Sequence, residues 1–149
     1  MRSTNLRTWS TSRGNRLDCE YPEGYPLHAT ICTRLGLSFF LDHSLARPVF
    51  ELLNEQDCTL AACLMPDHLH WLLSDASRAQ EAVSRFKSVS TRTSWSQGRH
   101  GKLWQRSFWD HVIRRQEDLK AVAEYIIQNP VRQGLVREAR EYPFHVTRL

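Results

Sequence analysis

A chain of 149 residues that is 41% hydrophobic, with five Trp and six Phe, has the length for one domain and enough apolar content for a core. No apolar run reaches the roughly 18 residues of a membrane span, and no apolar stretch follows Arg2, Arg7, Arg13 and Arg16, so a soluble cytoplasmic protein is expected. The net charge of +4 favours an anionic partner, while Cys19, Cys32, Cys58 and Cys63 lack the CxxC spacing of a zinc site, and Cys32, Cys58 and Cys63, inside apolar runs, are expected as buried free thiols.

Residues 1–26 are rich in Ser, Thr, Arg and Pro and read as a basic polar arm ahead of one domain over 27–149. Residues 27–33, between Pro26 and Gly36, predict the first strand. A helix over about 45–56 puts Val49, Leu52, Leu53 and Gln56 on one side. The apolar run 58–64 reads as a buried strand, Pro66-Asp67 as a tight turn, and 68–73 as the returning strand of a hairpin. Ser77-Arg78-Ala79-Gln80 has a capping-box pattern and opens a second helix, with Val83, Phe86 and Val89 facing inward. Beyond a basic loop at Gly98 and Gly101, residues 104–113 predict a fourth strand. Gln116-Glu117-Asp118 starts a third helix, which Asn129-Pro130 ends. The order β-α-β-β-α-β-α predicts an α+β class: a ferredoxin-like antiparallel sheet with helices on one face, plus a C-terminal helix carrying Tyr125.

Between Arg78 and Arg106 stand seven Lys or Arg and one acid, Glu81, with Phe86, Trp95 and Trp104 among them. Cations track a phosphate backbone and aromatic rings stack on unpaired bases, so the mixture suits single-stranded nucleic acid. Arg85, Lys87, Arg92, Arg99, Lys102, Trp104 and Arg106 are the candidate contacts. Arg114 and Arg115, just before the third helix, are further candidates for backbone phosphate, though exposed charges there also fit a plain surface.

His68-Leu69-His70 is the sharpest local feature. Residues two apart on a strand share a face, so the two imidazoles project together and make half of a metal site. On the third helix, Leu119, Val122, Ala123 and Ile126 form the core stripe, with Tyr125 off its centre and Asn129 one turn further on. Taken singly, Tyr125 reads as amphipathic packing and Asn129 as a helix-ending residue. Taken together they offer a mechanism: a tyrosine nucleophile on a phosphodiester, with the Asn129 amide completing a metal face begun by His68 and His70.

Three segments resemble one family. Met65-Pro66-Asp67-His68-Leu69-His70-Trp71-Leu72-Leu73 is similar to the HUH motif of the REP-associated tyrosine transposases. Tyr125-Ile126-Ile127-Gln128-Asn129-Pro130-Val131-Arg132-Gln133-Gly134-Leu135-Val136 resembles their tyrosine motif, and the stretch from Gly101 to His111 resembles their Trp-Gln segment. The resemblance implies a single-tyrosine HUH endonuclease and strand transferase. Tyr125 would be the nucleophile, with Mg2+ or Mn2+ on His68, His70 and Asn129. It further implies a 5′-phosphotyrosine intermediate and hairpins of palindromic repeats as the DNA, at the nucleoid. Monomer and homodimer both remain open. Asp67 and Gln133 depart from the family's usual Asn and small residue, and Asp110 and His111 have either a positioning or a strand-end role. The competing readings are a catalytically idle hairpin-binding module, a ferredoxin-like RNA-binding module, and a phosphodiesterase that attacks with water.

Overall fold

The computed structural model describes Ser10, Thr11 and residues 21–149. The elements are β1 (Ser10–Thr11), β2 (Leu27–Cys32), α1 (His43–Asn54), β3 (Thr59–Leu64), β4 (His68–Leu73), α2 (Ala79–Ser96), β5 (Trp109–Val112), α3 (Gln116–Ile127), α4 (Asn129–Arg132) and β6 (His145–Thr147). Six strands form one antiparallel sheet in the order β1-β5-β2-β4-β3-β6. Its centre, β5-β2-β4-β3 with α1 and α2 as crossovers, is the expected ferredoxin-like arrangement. The edge strands β1 and β6 add to that expectation.

Alternation along the strands sorts side chains to two faces. Leu27, Ala29, Ile31, Leu69, Trp71 and Leu73 point one way and are fully buried. Trp71 meets Phe86 of α2 with ring centroids 5.5 Å apart and donates its indole N–H to Thr59 Oγ1 at 2.9 Å. Complete burial of such a side chain contributes about 1.5–3 kcal/mol. His28, Thr30, His68, His70 and Leu72 point the other way, and α3 lies over β3, β4 and β6 on that side. Its stripe Leu119, Val122, Ala123 and Ile126 is buried as the spacing predicts. The sheet is therefore covered by α1 and α2 on one face and by the tyrosine helix on the other.

Several local expectations need correction. Ser77 does not cap the second helix; Asp75 accepts from the Ser77 amide at 3.0 Å and caps the short turn ahead of α2. The first helix begins two residues earlier than expected because Asp42 caps it, accepting from Ser44 N at 3.0 Å. The fourth strand is shorter than predicted. Gln105 N donates to Cys32 O at 2.9 Å and Trp109 pairs with Thr30, so residues 106–108 bulge opposite Ile31 alone. Lys87 Nζ holds that bulge by donating to the carbonyls of Gln105, Arg106 and Ser107 at 2.8, 3.2 and 3.4 Å. Asn129-Pro130 does end α3, after Ile127, as expected, but the short helix α4 follows at once. Pro130 sits in the first turn of α4, where its missing N–H leaves no bond unmade. Cys32, Cys58 and Cys63 are free thiols, and burial pushes Cys63 up to about 12. Cys19 and most of the arm lie outside the described residues. No helix among the described residues is long and apolar enough to cross a membrane.

Candidate active site

β4 opens on His68, and His70 follows on the same face, with ring centroids 4.9 Å apart and planes at 88°. The turn before them is pinned from three sides: Met65 N donates to His68 O at 2.8 Å, Thr33 N to Asp67 O at 3.0 Å, and Phe40 N to Pro66 O at 3.0 Å. A turn held this way fixes where the strand starts, and therefore where both rings point.

Each imidazole has one nitrogen already engaged. His70 Nδ1 lies 2.9 Å from His28 Nε2 and 3.2 Å from Thr30 Oγ1. His68 Nδ1 lies 2.7 Å from Asp67 Oδ1. The Nε2 of each ring is thus the nitrogen available to a ligand, and bonds of this kind fix tautomer and ring orientation. Burial pushes His70 well below the usual histidine range, with the charges of His28 and His68 adding to the effect. Burial, then the neighbouring His111, pushes His28 down to about 3. His28 and His70 are therefore neutral at pH 7, the state in which the His70 imidazole can bind a cation.

α3 brings the second half of the site. Tyr125 is half-buried, its ring centroid 5.7 Å from that of His70 and 6.4 Å from that of His28. The Arg132 guanidinium stands 4.0 Å over the Tyr125 ring and also donates to the Tyr125 carbonyl. Asn129, one turn beyond the tyrosine, is only 3% exposed, and its side-chain amide nitrogen lies 3.5 Å from His68 Nε2. Amide nitrogen and oxygen interchange by a half-turn, so the same side chain presents an oxygen to a cation.

Among the described residues, no three His, Cys, Asp or Glu side chains gather as a metal cage. The donor set that does converge is two imidazoles and one amide. That set fits a divalent ion: it offers two neutral nitrogens and one oxygen, with the second nitrogen of each ring already bonded. Hard ions such as Mg2+ and Mn2+ prefer oxygen, so phosphate and water would supply the remaining ligands.

The candidate DNA contacts do not form one surface. Trp104 is buried, stacked against Phe40 and Phe86 at 5.4 and 5.6 Å and donating to Ser90 Oγ at 2.8 Å. It belongs to the core and only borders the groove beside α2, with 5% of its surface exposed. Lys87 is occupied by the three bulge carbonyls, and burial lowers its pKa to about 8. Arg99 lies 3.8 Å over the Phe39 ring. Arg85 pairs with Glu81 at 3.3 Å and shares a cavity with Glu55, Asp57 and Asp75. Arg92, Lys102 and Arg106 are exposed along one groove beside α2. Arg114 and Arg115 are exposed beyond Ile113, whose N–H bonds Pro26 O, at the opposite end of β2 from His68. Asp110 faces away from the site with Ala29, and Tyr21 donates to it. His111 shares the site face and stands opposite His28.

Three residues near the chemistry escaped the sequence reading: His28, Thr30 and Arg132. A histidine within an otherwise apolar buried strand was the available signal for His28. Arg132 lies inside the tyrosine motif, but only the fold stacks it on the ring.

A family model described as Transposase IS200 like matches residues 38–129, which include His68, His70, Tyr125 and Asn129. A Haemophilus influenzae protein, provisionally named a REP-associated tyrosine transposase, is 29% identical over 99 residues, covering 58% of this chain and 56% of its own. The Escherichia coli REP-associated tyrosine transposase is 28% identical over 81 residues, covering 54% of this chain and 48% of its own. The chain spans about half the length of these curated relatives. A solved REP-associated tyrosine transposase bound to a REP hairpin has the same fold, with a TM-score of 0.66 and 24% identity over 84% of this chain and 78% of that one.

Proposed function

The chain belongs to the family of IS200-like transposases, and we propose that it cuts and rejoins single-stranded DNA through Tyr125 at a divalent-metal site of His68, His70 and Asn129. The observation that carries this reading is the convergence of His68 Nε2 on the Asn129 amide at 3.5 Å, with the Tyr125 ring 5.7 Å from that of His70. With Asp67 on its Nδ1, His68 turns Nε2 towards the Asn129 amide, which by a half-turn would offer its oxygen to the same ion. The curated relatives are named as transposases, and the solved one is bound to a hairpin, which favours a hairpin-forming strand as the DNA.

In the proposed reaction Tyr125 Oη attacks phosphorus, the bond from phosphorus to the 3′-oxygen breaks, and that oxygen leaves as a 3′-hydroxyl. The products are a 5′-phosphotyrosine and a free 3′ end; attack by a 3′-hydroxyl on the ester reverses the step and rejoins the strands. A bound Mg2+ or Mn2+ would supply charge stabilisation on the non-bridging oxygens and help align the attack. His68 and His70 would hold the ion, their orientation set by Asp67, His28 and Thr30. Arg132 restrains the tyrosine ring, and its positive charge beside the nucleophile favours an approaching phosphate. A labelled hairpin-bearing strand mixed with the protein and Mn2+ should give a covalent adduct on a denaturing gel. An adduct that forms equally well with chelator present would refute the metal assignment.

A further inference from the structure

We propose that the groove between α2 and residues 102–106 binds unpaired nucleotides of the DNA strand, with Trp95 as the platform for a base. This rests on reading the chain as a DNA-cutting protein. The groove encloses about 520 Å³ and is lined by Lys87, Arg92, Trp95, Lys102, Gln105 and Arg106 among others, with no Asp or Glu. A volume on the scale of a small-ligand pocket suits single nucleotides, not a duplex. A second cavity contrasts in charge, since Arg78 and Arg85 there face Glu55, Asp57, Asp75 and Glu81.

Trp95 is 51% exposed, which is costly for so large an apolar side chain, yet it is held still because its indole N–H donates to Gly101 O at 2.8 Å. A fixed, open indole loses little freedom when a base stacks on it. Arg92, Lys102 and Arg106 supply uncompensated positive charge around it. Basic side chains following a backbone beside an aromatic platform are the elements of sequence-tolerant single-strand binding. Lys87 contributes differently, by fixing the bulge that forms one wall.

The groove lies on the α2 face of the sheet, and its edge comes close to the strand that carries the candidate site on the other face. Gln105 bonds Cys32, and Cys32 pairs with His68, so the groove's edge is two strand spacings, about 10 Å, from the metal-binding strand. Trp109, 43% exposed, stands on the site's face of the sheet opposite Thr30, across the bulge that carries Arg106. A strand leaving the site has exposed indoles on both sides of that edge.

Fluorescence anisotropy of the full chain in EDTA, with a short unstructured strand and with its blunt duplex, tests the site. Trp95→Ala should weaken strand binding about tenfold and leave duplex binding unchanged, while Trp95→Phe keeps most of the affinity. The Arg92→Gln, Lys102→Gln double variant should lower the log-log salt slope for the strand by about one unit. Unchanged strand affinity in Trp95→Ala, or equal loss on strand and duplex, overturns the proposal. If Trp95→Ala does not fold, an unchanged salt slope in the double variant overturns it instead. Because binding is read without metal, absence of a covalent adduct in Mn2+ counts against the proposed function and leaves the groove standing. Absence of all strand binding counts against both.

Discussion

Replacing His28 by leucine separates a histidine that merely fills the core from one that sets up the metal site. The substitution removes an imidazole nitrogen 2.9 Å from His70 Nδ1 and leaves Thr30 Oγ1 at 3.2 Å as that atom's remaining partner. Leucine is close in volume and apolar, and the position is fully buried. An unsatisfied buried polar group costs about 1–3 kcal/mol. Here Thr30 still satisfies Nδ1, and a desolvated imidazole is removed, so the net change in stability should stay within about 1–2 kcal/mol. For a chain of this size that moves the melting temperature by only about 3–8 °C. Metal affinity should respond more. Losing the group that orients a ligating histidine typically costs about 10–100-fold, or roughly 1.4–2.7 kcal/mol. Manganese titration followed by the electron paramagnetic resonance of free Mn2+ reads this directly, and thermal melting of the same samples controls for folding. His28→Gln, which retains a hydrogen-bonding side chain, should recover part of the loss. A folded His28→Leu protein with the affinity of the original chain would show that His28 is packing alone.

Other consequences follow from the same geometry. His28 and His70 are held neutral when folded but protonate near pH 6.5 when unfolded, so folding stability should be full above about pH 6.5 and fall as pH drops towards 3. The slope approaches about 1.4 kcal/mol per pH unit for each group, measurable by urea unfolding at about pH 7 and about pH 5; equal stabilities there would contradict the burial argument. Trp104→Ala should destabilise by about 3–5 kcal/mol, since the ring lies between Phe40 and Phe86, and a variant with unchanged melting temperature would refute that placement. Cys63, buried with its thiol pushed up to about 12, should resist a thiol reagent until urea unfolds the chain, and rapid native labelling there would count against the fold.

The ferredoxin-like centre was legible because its helices carry apolar stripes and its strands are short apolar runs bounded by Pro and Gly. The bounds of residues 68–73 are legible because Pro66-Asp67 forces a turn before them and His68 and His70 alternate with Leu69 and Trp71 after it, although Leu72 breaks the pattern. The edge strands Ser10–Thr11 and His145–Thr147 have two and three residues, too few for alternation to register. The fourth strand was drawn too long because Trp104 and Phe108 look like strand residues, whereas the Lys87 clamp and the bulge it holds are tertiary features. The catalytic candidates were found through motif spacing, and helix geometry does bring Asn129 to His68. What spacing could not supply was the sorting of tryptophans. Trp104 and Trp95 both sit in a basic stretch, yet one turns into the core against Phe86 and the other remains exposed. Asp110 and His111 show the same limit, since neighbours on a strand face opposite sides and only the pairing register says which meets His28.

In the proposed reaction everything turns on the Tyr125 hydroxyl as the attacking atom. Tyr125→Phe removes one oxygen and keeps the ring under Arg132, so folding and strand affinity should scarcely change. Both proteins are incubated with the same labelled hairpin-bearing strand and Mn2+, then resolved on a denaturing gel. Cleavage and a covalent protein-DNA adduct are expected for the original chain, and neither for Tyr125→Phe at matched DNA occupancy. Cleavage by Tyr125→Phe at a comparable rate would assign the attack to water and rule out Tyr125 as the nucleophile.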